Sequence, residues 1–229
     1  MNELEKFIRE AITKAIDHVD NNDIYAFSFF VYNDEDDPRR PTLIVGFNTS
    51  SNYQKETENA SSLEEAKWNY AFWLQNEIAI IGTEEDEAGR AIIQDWITEV
   101  ELNYTDEEEE NDFEKCLEQG EKITSAFVDI LIKVVQHIHS SNVTKLPIII
   151  HELEYYYAIL EQNIKANGAE RVKGFVEWID RMENEEWKQC LTSCSRQPGK
   201  RELGSLVSLI QPADTRKITS HKSPARRLH

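Results

Sequence analysis

Cysteine is scarce in this 229-residue chain, and its three copies, Cys116, Cys190 and Cys194, are an odd number. A fully paired disulfide framework is therefore excluded, and Cys190 and Cys194, one helical turn apart with no second ligand pair near them, do not make a zinc knuckle. Free thiols in a reducing compartment account for them. Glycine (8) and proline (6) are also few and scattered. No P-loop, G-x-G-x-x-G, G-x-S-x-G or paired CxxC motif occurs, so chemistry that depends on a phosphate cradle or a nucleophile elbow has no local signature. No run approaches the roughly 18 apolar residues that a bilayer span needs, and Met1 to Ile16 is charged every few residues and lacks an apolar h-region. The expectation is a cytoplasmic protein with no membrane partner.

Positive charge is short as well. Lys and Arg number 25 against 43 Asp and Glu, a formal charge of −18. Nucleic-acid binding runs on Lys and Arg displacing counterions from phosphates, so this balance argues against a nucleic-acid partner and for a basic protein. The deficit is uneven: residues 196–229 hold eight Lys/Arg against two acids, a net of +6, so residues 1–195 carry −24. Turn formers punctuate that basic tail at Pro198-Gly199, Pro212 and Pro224. The reading is one domain over 1–195 and a tail over 196–229 that is mostly disordered or a non-native extension.

What is abundant is periodic hydrophobicity. Leu4, Ile8, Ile12 and Ile16 with their neighbours mark an amphipathic helix. Ile24 to Tyr32 places β-branched and aromatic residues on both alternation faces, the pattern of a central strand covered on each side, and Thr42 to Phe47 follows as its hairpin partner. Asn48 to Ala60 reads as a polar connection. Leu63 to Ile81 reads as one helix, capped by Ser61 or Ser62 and buried on two sides, because Trp68, Tyr70, Phe72 and Trp73 spread around its circumference. A helix near Ala88 to Val100 comes next, then an acidic helix start from Asp106 to Glu114. Apolar positions 116, 117, 123, 127, 130, 131, 134, 135 and 138 predict a long helix lying across the sheet. Leu146 to Ile150 predicts a third strand, and helices over Tyr155 to Ala166 and about Ala169 to Leu191 are separated by Asn167-Gly168. These elements make an α+β fold, a small central sheet of at least three strands (24–32, 42–47, 146–150) surrounded by six or more helices.

The stretch LPIIIHELEYYY, Leu146 to Tyr157, is the densest in candidate site residues. His151, Glu152 and Glu154 are the candidate metal ligands or acid–base groups of a metal-assisted hydrolase, with His137 and His139 as outlying histidines. HELE lacks the second histidine of H-E-x-x-H, and in an extended chain His151 and Glu152 face opposite ways. His137 and His139, two apart, diverge by about 200° on a continuous helix. A capping or buried hydrogen-bonding role suits His151 and Glu154 better. No catalytic residue, metal ligand or cofactor is assigned. Tyr155 and Tyr156, about 100° apart on a helix, and the aromatic Trp68 are candidates for a recognition surface.

The run Pro147-Ile148-Ile149-Ile150-His151-Glu152-Leu153-Glu154-Tyr155-Tyr156, with Gln162-Asn163, Ala166-Asn167, the Trp68 helix and the early IYAFSFF strand, resembles a bacterial family catalogued as a domain of unknown function. That family is loosely associated with immunity proteins of bacterial toxin systems. The resemblance covers about residues 1–190 and carries no residue roles. It implies an α+β cytoplasmic protein, and with the acidic body it favours a non-enzymatic, immunity-like inhibitor of a basic toxin domain. A metal-assisted hydrolase and a partner-binding regulatory scaffold are the alternatives.

Overall fold

The computed structural model describes residues 2–19, 22–152 and 157–194, with residues 157 and 182–194 described by backbone alone. The chain divides into two units, Met1–Glu186 and Trp187–His229. The sheet and both of its cores belong to the first unit; the basic tail expected over 196–229 lies outside the described residues.

The sheet has four strands, β1 (Ile24–Asn33), β2 (Pro41–Thr49), β3 (Ala79–Ile81) and β4 (Ile148–His151), in the order β3-β2-β1-β4. β1 and β2 form the expected antiparallel hairpin, with Phe29 opposite Val45. β4 runs parallel to β1, with Phe27 opposite Ile148 and Phe30 opposite His151. The helices among the described residues are α1 (Glu3–Asp17), α2 (Ser50–Glu56), α3 (Leu63–Trp68), α4 (Glu87–Glu99), α5 (Asp106–Asn111), α6 (Phe113–Ser140), α7 (Tyr157–Asn167) and α8 (Ala169–Cys194). The architecture is α+β, helices around a small mixed sheet.

Strand alternation creates two cores. Phe27, Phe29 and Val31 of β1 pack with Leu43, Val45, Ile148 and Ile150 under α1, α4 and α6. Ala26 and Ile149 face the other way, into a cluster of Trp68, Trp73 and the apolar faces of α7 and α8. β1 is thus covered on both faces, as its composition predicts.

The structure departs from expectation most between residues 48 and 81. Ser50–Glu56 is helical, started by Thr49, whose hydroxyl accepts from the Asn52 N–H at 3.2 Å. The single helix expected over Leu63 to Ile81 is instead a short α3, a 3-10 turn at Tyr70–Phe72 and the strand β3. Asn69 breaks it: its backbone is extended, and its side chain accepts from Ala71 N–H, restarting the chain in a new direction. Asn76 then clips the chain to β2, accepting from Phe47 N–H (2.8 Å) and donating to Phe47 O (3.1 Å). Trp68, Tyr70 and Trp73 gather on one face of the sheet because the chain turns, not because one helix has two buried sides. The acidic run is also split. Thr105 and Glu108 close a capping box on α5, and Asp112 caps α6 anew.

β4 is the last strand of the sheet as described, and α7 covers its outer side with side-chain amides. Asn163 accepts from Ile150 N–H and donates to Ile150 O, both at 2.8 Å; Asn167 does the same to Ile148, at 2.8 Å each. Gln162 adds a second donor to Ile150 O at 3.0 Å. Four residues apart on one helical face, the two asparagines match the alternate residues of β4 whose polar groups point outward. They occupy the place of a fifth strand.

Candidate functional site

His151 ends β4 and points to the Trp68 side of the sheet, where it is 1% exposed. Its Nδ1 lies 3.1 Å from the Glu152 carbonyl, which can only accept, so Nδ1 carries the proton and Nε2 is the acceptor. Ser28 of β1 fills that role, its buried hydroxyl donating to Nε2 at 2.7 Å. The ring is further enclosed by Tyr70 and Phe30, with centroids 4.5 and 5.5 Å away. Burial pushes the imidazole down to about 4, against the opposing effect of the Glu152 carbonyl, so the ring is neutral at physiological pH. Ser28 and His151 have the hydrogen bond of a nucleophile–base pair, but both are buried to 1% and the serine is presented to no open space.

Glu152 faces elsewhere, as strand alternation requires. It lines a cavity of about 430 Å³ with Asn33 at the end of β1, Pro38 of the loop that follows, Thr124 and Val128 of α6 and Gln162 of α7. His151 and Glu152 therefore do not converge. Glu154, Tyr155 and Tyr156 lie outside the described residues. His137 and His139 are held apart because α6 continues to Ser140: His137 meets Arg9 and Ser141, while His139 meets Thr144 O and Asn167 Oδ1. Among the described residues no group of three or more His, Cys, Asp or Glu is placed to hold a metal ion. Trp68 is 6% exposed and packs on Tyr25 and Phe175, so it serves the second core rather than an exposed recognition surface.

The structure exposes a different set. Phe113 and Leu117, one turn apart on α6, are 62% and 49% exposed. Leu117, one of the apolar positions that mark the long helix, is half-exposed and lines the Glu152 cavity together with Glu121 and Thr124. Around this apolar pair, residues 106–121 contain nine acids and one base, Lys115. Arg39 is the basic residue drawn to that segment, reaching Asp106 at 2.7 Å and Glu109 at 3.9 Å from beside Asp37.

Among the described residues no helix is long and apolar enough to cross a membrane. The sequence matches no family model, and no curated protein or solved structure matches it.

Proposed function

We propose that this chain is a non-enzymatic binding protein for a basic protein partner, in the manner of an immunity-like inhibitor of a basic bacterial toxin domain, acting in the cytoplasm. The observation that carries the reading is the α5–α6 face: nine acids against one lysine over residues 106–121, with Phe113 and Leu117 standing out of it. Acidic residues alone serve solubility. Acidic residues around large exposed apolar side chains supply what an interface needs, a desolvated anchor inside a charged rim. The field speeds encounter with a cationic partner by about 10- to 1,000-fold at low salt, and the apolar pair slows dissociation.

Among the described residues, the geometry lends the hydrolase reading no support. His151 commits both ring nitrogens to protein partners, and Glu152 opens on another space.

Co-expression with the product of an adjacent toxin-like gene is the direct test. The wild-type chain is expected to protect cells. Neutralising Glu107, Glu110 and Glu114 to Gln should slow association and flatten its salt dependence, and Phe113→Ser with Leu117→Ser should speed dissociation. Failure to protect, or protection indifferent to both sets of changes, overturns the proposal.

A further inference from the structure

β1 and β4 are neighbours and parallel, so their carboxyl ends lie side by side, Phe30 level with His151. In open α/β sheets, ligands bind in the crevice beyond the carboxyl ends of parallel strands whose connections diverge, and the exits of β1 toward β2 and of β4 toward α7 diverge in the same way. Here Asn33 and Glu152 open onto the cavity of about 430 Å³, within the roughly 300–1,000 Å³ range of small-molecule sites. One face of α6 forms its far side. Gly120 makes that face possible: a Cβ there would sit 2.7 Å from Pro38 Cβ, so only glycine lets the loop after β1 close against the helix.

The described lining is rich in acceptors and has no Lys, Arg or His. Glu121 and Glu152 bring carboxylates, and Thr124 and Ser125 bring hydroxyls. Asn33 lines the same wall, and its Oδ1 is buried there without a hydrogen-bond partner. The walls between these groups are apolar, at Leu117, Val128 and Ala158. Carboxylates beside hydroxyls, with no described basic side chain among them, disfavour an anion and favour a ligand that is positive and carries N–H donors. The apolar walls call for a short hydrocarbon stem behind the charge.

We propose that this cavity binds a small molecule bearing a guanidinium or primary ammonium group on an aliphatic stem. The carboxylates and hydroxyls receive its N–H donors, and the Leu117–Val128 wall takes its methylenes. This site shares Leu117 and Glu121 with the α5–α6 face but does not require that face's protein-docking role.

The test is a titration of the full chain, followed by amide chemical shifts in about 0.15 M salt, where attraction between exposed charges is largely screened beyond about 8 Å. Butylguanidinium and butylammonium are the probes, and butylurea is the neutral isostere. The cations are expected to shift Thr124, Ser125 and Gln162, and butylurea to leave them unmoved. Glu121→Gln, a change on the helix surface, should weaken butylguanidinium about tenfold, the loss of one charge-assisted hydrogen bond. Ala158→Phe, which fills the cavity, should abolish binding while the melting temperature holds. Equal shifts from butylurea overturn the proposal. So do shifts confined to residues 106–117, which would mark general cation attraction, or stabilisation by magnesium or calcium alone, which would mark a metal site. An arginine-bearing peptide that reaches the cavity where butylguanidinium does not would assign the space to a partner's side chain and overturn the free-ligand proposal.

Discussion

Replacing Asn163 with leucine tests whether α7 substitutes for a missing strand. Asn163 is fully buried and makes three hydrogen bonds at 2.8 Å: from Ile150 N–H, to Ile150 O and to Ile159 O. Leucine keeps the branched shape, is somewhat larger, and removes all three bonds, so any overpacking adds to the loss. The losses are unequal. Ile150 O retains Gln162 at 3.0 Å, and Ile159 O lies within the helix, but Ile150 N–H has no other acceptor on that side among the described residues. An orphaned buried donor costs about 1–3 kcal/mol, and the two lost donations add about 1 kcal/mol together once their partners' remaining bonds are counted. The expected destabilisation is about 2–4 kcal/mol, a large part of the roughly 5–15 kcal/mol that holds a typical domain. Urea unfolding should show the midpoint falling at constant slope, and hydrogen exchange should show the Ile150 amide losing protection ahead of β1 amides. A loss below about 0.5 kcal/mol, or an Ile150 amide as protected as before, would refute the reasoning, since the edge would then be satisfied by something other than Asn163.

Two further outcomes concern His151 and Gly82. Because the folded His151 is held near 4 and the unfolded one titrates near 6.5, the unfolded state binds the extra proton between those values. Stability contributed by neutral His151 is complete above about pH 6.5 and is lost as pH falls toward 4, by up to about 3 kcal/mol. Denaturant midpoints measured from pH 7 to pH 4.5 should fall less steeply for His151→Leu than for the wild type; equal slopes would contradict the buried neutral ring. Gly82 enters α4's approach with φ +98, and a Cβ there would lie 2.8 Å from Ile93 Cδ1 and 3.0 Å from Pro41 O. Gly82→Ala should therefore destabilise by about 1–3 kcal/mol in thermal unfolding, and a neutral result would mean that the β3–α4 turn adopts another conformation.

Where local physics decides the structure, the amino acids announce it. IYAFSFFVY carries apolar residues on both faces and is the inner strand covered on both sides; Ile8, Ile12 and Ile16 repeat at the helical period and lie in the core. β3 is different. Three residues, Ala79 to Ile81, form a strand because Ile78 N–H reaches Val45 O at 2.8 Å and Asn76 clips onto Phe47, contacts that no window around residue 80 contains. Leu117 shows the same limit: it falls among the periodic apolar positions that mark α6, yet its side chain is left half-exposed. At His151 the motif names the ring, while the hydroxyl that hydrogen-bonds it, Ser28, lies on β1 and carries no mark of that contact. A signal was available for the edge of β4. Asn163, a poor helix former in the middle of α7, sits where tertiary hydrogen bonds justify it, whereas Asn167 one turn on is also explained by the helix end before Gly168.

The parallel pairing of β1 with β4 also sets a timetable. A hairpin such as β1–β2 closes in about 1–10 µs, whereas Phe27 must wait for Ile148. At synthesis rates of about 5–20 residues per second, that wait is on the order of ten seconds during translation. Throughout it, the chain carries one of its most apolar and aromatic strands with an unpaired edge, a template for other chains. The asparagines that close the far side of β4 arrive later still. Weakening them therefore acts on yield as well as on equilibrium stability, because each new chain passes through an open-edged intermediate that only the last third of the domain can seal.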